Sequence, residues 1–407
     1  MPKILSGIRI LEWVQFMNGS AFMLGDLGAE VIHIEDRVKG DASRGISAMW
    51  GDSILLPGGR NIVFEGSNRS KKSITLNLKT EKGREVLYRL VANSQVFVHN
   101  FRQSVAEKLK ADYATLSKHN PKLIYVVASG LGVKGPYKDF RAFDPLTQAM
   151  SGLMWIMGDR DDPEPVQVTG AVNDSLGAAM TSYAILAALL AKERLGIGQE
   201  VHVSQLGSAL MCLVGNQVNN TLWLGHPMAR HSRKRARNPL ANHYKCADGK
   251  WIMLAEAQSD RFWHEFCEVL NLGEAEQDPR FASALKRREN YAALTDILEK
   301  VFDSKARDEW SNIFLNRKVR FAWAPILNLN DVVNHPQAIE NGYVIENYNH
   351  PTLGKTKVLG YPINFTKTPV SYDVPAPEFG QHTEEVLMEV GGYSWEEVEQ
   401  MRRDEII

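Results

Sequence analysis

The stretch Ile8–Ile34, IRILEWVQFMNGSAFMLGDLGAEVIHI, decides the fold class. Its two ends, Ile8–Trp13 and Glu30–Ile34, are apolar runs of strand length, and Ser20–Leu27 between them suits a helix. The same unit repeats outward. Lys72–Leu78 (KSITLNL) alternates apolar and polar residues, the pattern of a strand with one exposed face. Thr80 is placed to N-cap a helix through Leu90 and Val91, and Val96–Val98 and Leu123–Val127 (LIYVV) are further strands. Strand and helix in alternation predict an α/β protein: a mostly parallel sheet covered by helices, joined by right-handed crossovers.

Beyond that repeat the character changes. Ser175–Arg194 (SLGAAMTSYAILAALLAKER) is Ala-rich and apolar on nearly every face, which predicts a buried helix with Gly196 as its C-terminal cap. Trp223–Pro239 breaks the pattern with Gly225, Pro227, a basic cluster and Pro239, and reads as a linker or hinge. A second unit follows, with a strand near Trp251–Leu254 and helices near Phe262–Leu270 and Tyr291–Phe302. After Pro325 come short strands and turns, then one last helical stretch, Glu384–Arg403.

The chain has 407 residues, 44% hydrophobic and 23% charged, so it can bury a large core without staples. Its formal net charge of -1 argues against a general nucleic-acid binder, which shows a basic excess. Cys212, Cys246 and Cys267 are too few for a disulfide scaffold, and their spacings of 34 and 21 residues match no zinc motif. The longest clean apolar run, Ala184–Ala191, has eight residues, against the ~20 needed to span a bilayer. MPKILSGIRILEW reads as a first strand rather than a signal peptide, which makes a cytoplasmic location, with no membrane and no nucleic-acid partner, the expectation.

Gly130, Gly132 and Gly135 spell G-x-G-x-x-G directly after a strand, a spacing that can seat a pyrophosphate on a helix N-terminus. Pro136 and Tyr137 follow at once, so no helix opens there, and no acidic residue closes a second strand where a dinucleotide site needs one. The glycines therefore read as a turn at the C-terminal edge of the sheet, which is still the edge where open α/β sheets bind ligands.

Asp174, in VTGAVNDSLGAAM, stands at the mouth of the Ala-rich helix. One reading is an N-cap that accepts hydrogen bonds from the first turn. The other is a carboxylate nucleophile, for which the free N–H groups and positive dipole end of a helix N-terminus are suitable surroundings.

The chain resembles the class III CoA-transferase family, which contains formyl-CoA, crotonobetainyl-CoA and aryl-acid CoA-transferases. The resemblance runs through GIRIL (7–11), GAEVIHIE (28–35), Gly40-Asp41, Arg44, NRSKKSITLNLK (68–79), Gly83-Arg84 and Asn100-Phe101-Arg102. It continues through NPKLI (120–124) and QAMSG (148–152) to GQHTEEVL (380–387). It implies that Asp174 is the nucleophile. It implies CoA contacts from Arg37 or its neighbour Asp36, from Leu76, Asn77, Lys79, Asn100, Phe101, Arg102, Lys108 and Arg141, and a role beside the nucleophile for Asp144. Acyl-CoA and a carboxylic acid would be the substrates, with no tightly bound cofactor and no metal. The implied architecture is a Rossmann-like large domain built from both chain ends (1–224 and 326–407), a smaller α+β domain at 225–325, and an interlocked dimer, as a homodimer or with a paralogue.

Departures from the family pattern narrow the branch. Gly19-Ser20 stands where Gly-Pro is frequent, and Met17 where formyl-CoA transferases carry glutamine; NPLANHYKCADG (238–249) lacks their glycine run. These features favour a medium-sized or aromatic acid over formate or oxalate. Related α-methylacyl-CoA racemases use a histidine where this chain has Phe143, which cannot shuttle a proton. A racemase and a non-catalytic partner subunit are the alternatives. The dense basic run, Arg230, His231, Arg233, Lys234, Arg235 and Arg237, reads either as a solvated linker or as a recruiter of anions.

Overall fold

The computed structural model describes residues 3–16, 21–162, 164–372 and 374–407. Six strands form one parallel sheet: β1 (Arg9–Trp13), β2 (Glu30–Glu35), β3 (Lys71–Thr75), β4 (Val96–His99), β5 (Ile124–Ser129) and β6 (Gln199–Ser204). Their spatial order is β3-β2-β1-β4-β5-β6. The chain works outward from β1 in one direction, then returns to β1 and works outward in the other. A crevice therefore opens at the carboxyl ends of β1 and β4, where the order reverses.

The strands are buried almost end to end because helices cover both faces. One core joins Leu11, Ile32, Ile74, Phe97 and Tyr125 to Val86, Leu87 and Leu90 of helix α1 (Glu81–Ala92). The same core takes in Val386, Leu387, Val398 and Met401 from the far end of the chain. The opposite core joins Ile10, Val31, Val98 and Val126 to Leu24 and Ile185. Thr80 caps α1 as expected, its hydroxyl accepting from Gly83 N at 3.0 Å.

Three expectations need correction. The strand expected over Lys72–Leu78 spans Lys71–Thr75 and is buried on both faces rather than one, because the C-terminal segment closes over it: His382 N donates to Ser73 O, and Thr383 Oγ1 accepts from Thr75 N. The last helical stretch is two helices, Thr383–Glu389 and Trp395–Arg403, broken where Gly392 turns left-handed at φ 67°. The Ala-rich segment is a 24-residue helix, α3 (Val172–Leu195), capped by Gly196 in the left-handed conformation as expected. It is not buried all round. It is long and apolar enough to cross a membrane, yet only 33% of its most apolar stretch is buried. Tyr183, Leu190 and Leu195 stand exposed.

The chain divides into two compact units. The larger comprises Met1–Met154, Gln167–Pro227 and Glu340–Ile407; the smaller comprises Trp155–Val166 and Met228–Ile339. Residues 155–166, which carry no domain signal in the sequence, thus cluster with the smaller unit. That unit holds a three-stranded antiparallel sheet, β7 (His243–Lys245), β8 (Trp251–Leu254) and β9 (Trp323–Ile326), under helices Ser259–Leu270, Tyr291–Phe302 and Arg307–Arg317. An aromatic core of Tyr244, Trp263, Phe266, Phe302, Trp310, Phe314 and Phe321 holds them together.

Candidate active site

A cavity of about 580 Å³ opens at the carboxyl ends of β1, β4 and β5, at the crevice the strand order creates. Gln15 and Phe16 reach it from the end of β1, Asn100, Phe101 and Arg102 from β4, and Ser129–Val133 from β5. The G-x-G turn forms its floor. A Cβ on Gly130 would come within 2.1 Å of the Ala142 Cβ, so only glycine lets the following loop fold back onto the strand. Trp50, Phe140 and Phe143 stand more than half exposed around it, with Arg102, Lys138 and Arg141 among them. Three non-glycine wall residues, Phe16, Trp50 and Ala171, adopt left-handed backbone, which is uncommon outside glycine.

Asp174 and Asp144 meet at one wall. Asp144 opens helix α2 (Asp144–Ser151) and is buried, with 6% of its surface exposed. Its Oδ2 accepts the backbone N–H groups of Asn173 (2.6 Å) and Asp174 (3.1 Å), and its Oδ1 accepts from Gln148 Nε2. Gln148 is held in turn by both backbone groups of Val168. The first turn of α3 is therefore capped by a carboxylate from α2, while Asp174 makes no cap bond of its own. This overturns the capping reading of Asp174 and assigns the cap to Asp144.

Freed from capping, the Asp174 carboxylate faces the cavity and receives a hydrogen bond on Oδ1 from Gln205 Nε2. Gln205 opens helix α4 (Gln205–Cys212) directly after β6 and is 2% exposed. Burial, and then the negative charge of Asp144, push Asp174 up to about 6, while the Gln205 bond works downward. At neutral pH the group is mostly ionised, and it is a stronger base and nucleophile than an ordinary aspartate.

The other matched residues separate into groups. Asn100, Phe101, Arg102 and Arg141 line the cavity, and Asn100 also locks the end of β1, exchanging hydrogen bonds with Gln15 N (3.0 Å) and Gln15 O (2.8 Å). Arg37, Leu76, Asn77 and Lys79 gather instead at the ends of β2 and β3. There Arg37 Nε donates to Ile407 O, Asn77 N donates to Ile406 O, and Lys79 lies 3.9 Å from Asp36. Arg37 and Ile407 line a second cavity of about 400 Å³, whereas the Leu76 side chain is buried in the core. Lys108 ends the helix Gln103–Lys108, is exposed, and lines neither cavity. Met17, Gly19 and Ser20 lie outside the described residues.

The basic run is largely engaged within the smaller unit. Arg233 pairs with Glu299, Arg235 lies 3.4 Å from Asp161, and Arg230 donates to the carbonyls of Trp155 and Asp162. Gln205 and Thr147 escape a reading of motifs. The one sequence signal for Gln205 is its place just past the end of a parallel strand, where ligand-facing residues collect.

The model of CoA-transferase family III matches residues 5–383. The chain belongs to that family. Among family III relatives, it is 32% identical over 403 residues to a mouse succinyl-CoA:glutarate CoA-transferase, covering 98% of this chain and 89% of that one. It is 30% identical over 409 residues to an (R)-2-hydroxy-4-methylpentanoate CoA-transferase of Clostridioides difficile, covering 99% of each. The crystal structure of a CAIB/BAIF family protein from Brucella suis superposes with a TM-score of 0.83 at 29% identity, covering 96% of this chain and all of that one. Family III membership makes the chain a transferase that takes acyl-CoA as substrate, and the parallel six-stranded α/β fold is the fold of those structures.

Proposed function

We propose that the chain moves CoA from an acyl-CoA to a medium-sized or aromatic carboxylic acid, with Asp174 as covalent nucleophile. The supporting observation is a carboxylate at the cavity wall that Asp144 has released from capping and that burial raises to about 6. Asp174 attacks the thioester carbonyl, and the C–S bond breaks to give a mixed anhydride and CoA thiolate. The thiolate attacks the aspartyl carbonyl, expels the donor carboxylate and leaves an aspartyl-CoA thioester. The acceptor carboxylate displaces the thiolate, which then takes the new acyl group and regenerates Asp174. Each step exchanges one activated acyl for another, so neither ATP nor a metal is required.

Arg102, Lys138 and Arg141 supply the positive charge that CoA phosphates demand at the cavity, and Arg37, Asn77 and Lys79 extend the binding line across the ends of β2 and β3. The aromatic wall suits an acid larger than formate, in keeping with the glutarate and 2-hydroxy-4-methylpentanoate of the two relatives. Phe143 borders the cavity where a racemase would need its proton carrier, which favours the transferase. The three free cysteines fit a reducing, cytoplasmic setting. The exposed apolar residues of α3, together with Met211, Leu222 and Trp223, are the surface we assign to a second copy of the chain in an interlocked dimer. The larger unit is then the CoA-binding body.

The test is covalent trapping. Wild-type protein incubated with donor acyl-CoA and then hydroxylamine gains a hydroxamate on the peptide carrying Asp174, while Asp174→Asn gains none and loses turnover on the order of 10³-fold or more. An adduct on another carboxylate, or an active Asp174→Asn, removes this reading.

A further inference from the structure

We infer that Gln205 is a catalytic residue: its side-chain Nε2–H is the oxyanion donor for the aspartyl carbonyl. This rests on Asp174 being the nucleophile. Gln205 donates to Asp174 Oδ1. A carboxylate only accepts, so the amide must turn its NH2 toward Asp174. Its carbonyl is engaged on the other side, where Thr147 Oγ1 lies 3.0 Å from Gln205 Oε1 and is itself held by Asn173 Nδ2 at 3.0 Å. Gln205, Thr147 and Asn173 are all at most 2% exposed, so water does not compete for the donor.

The consequence follows from which oxygen reacts. With Oδ1 held by Gln205, the other carboxylate oxygen attacks the acyl group and becomes the bridging atom of the anhydride. Oδ1 then becomes the aspartyl carbonyl oxygen. When CoA thiolate attacks Cγ, a C–S bond forms and the carbonyl electron pair moves onto Oδ1. The pair returns as the C–O bond to the donor carboxylate breaks. When the acceptor carboxylate attacks the thioester, the same pair moves onto Oδ1 again, and the C–S bond breaks. Both tetrahedral states at Cγ place their negative charge on the atom that faces Gln205 Nε2. A buried, pre-aimed donor at such a position acts by electrostatic stabilisation.

Gln205→Leu keeps the volume and removes the donor. The expected result is a fall in kcat of about 10²–10³-fold with KM for the acyl-CoA within a few-fold of wild type. The acid limb of the pH–rate profile should move upward, because Asp174 loses the bond that favours its anion. The hydroxylamine-trapped thioester on Asp174 should also form more slowly in a single turnover. A merely structural role would move the acid limb but leave kcat on the plateau above it near wild type. Thr147→Val gives a second variant should Gln205→Leu fail to fold. It removes the hydroxyl beside the amide, and a smaller kcat loss with the same direction of pH shift is expected. Wild-type kcat and an unmoved acid limb in both folded variants, with the Asp174 adduct still formed by wild type, would overturn the role of Gln205 alone. Absence of that adduct from wild type would instead overturn the nucleophile on which it rests.

Discussion

Asp174 shows how three chain segments set the chemistry of one carboxylate. Burial and the neighbouring Asp144 charge oppose its ionisation, and Gln205 partly offsets them. Its pKa in the folded state is raised above the unfolded value of 3.8 to about 6. The native state therefore binds the proton more tightly than the unfolded state. That stabilisation is complete below about pH 3.8 and is lost as pH rises through about 6. Holding the ionised carboxylate at pH 8 costs the fold roughly 1–3 kcal/mol, allowing for partial exposure. Asp174→Asn should then be the more stable protein at pH 8, with the gain fading toward pH 4. Thermal melts at the two pH values check this, and a variant less stable than wild type at pH 8 would contradict it. The acid limb of wild-type kcat/KM should lie near pH 6 for the same reason.

At the scale of elements, the junction of α2 and α3 carries the candidate site. A helix normally caps itself with a side chain at its own start, but Ala171 has no side-chain acceptor and sits in left-handed backbone at φ 56°. Asp144 arrives from 30 residues upstream to accept the two N–H groups instead. Asp144→Asn should separate its two roles. One amide oxygen can still accept from the α3 first turn, but its NH2 would then face the Gln148 Nε2 donor, at a cost of about 1–3 kcal/mol. Removing the charge also relieves Asp174, so the acid limb should move to lower pH. Urea melts and a pH–rate profile read the two effects separately. An unmoved limb would mean that Asp144 acts on Asp174 by geometry alone.

At the scale of the molecule, the larger unit leaves several large apolar side chains exposed. Met211 is 79% exposed, Trp223 77% and Leu222 71%, and Tyr183, Leu190 and Leu195 of α3 are exposed as well. Apolar surface left open in this way is suited to a protein contact. Sedimentation should find a dimer, and if the two chains interlock, dilution should release no folded monomer. A concentration-dependent monomer that retains its circular dichroism would rule out the interlocked form. Leu190→Arg with Trp223→Arg should lower the yield of assembled protein while sparing residues at the cavity.

What the sequence determined by itself is what depends on neighbours in the chain. Periodicity located all six sheet strands except β6, the Thr80 cap, the Gly196 cap and the helices near Phe262–Leu270 and Tyr291–Phe302, because backbone hydrogen bonding and amphipathic spacing are local. The ordered motifs from Gly7 to Leu387 carried the family resemblance. Local pattern failed where a distant segment intervened. Lys72–Leu78 reads as half exposed until the C-terminal segment covers the strand, and α3 reads as wholly buried because composition records apolarity but not which faces have partners. The candidate site was legible in the sequence as Asp174, Asp144 and a set of CoA-contact candidates, yet Gln205 and the arrangement around Asp174 were not. Asp144, Asp174 and Gln205 lie on the starts of three different helices, and only the closing of the parallel sheet brings those starts to one edge. An aspartate at a helix mouth reads as a cap in any sequence. The tertiary structure alone decides that another carboxylate already fills that role, which leaves the Asp174 carboxylate to the cavity.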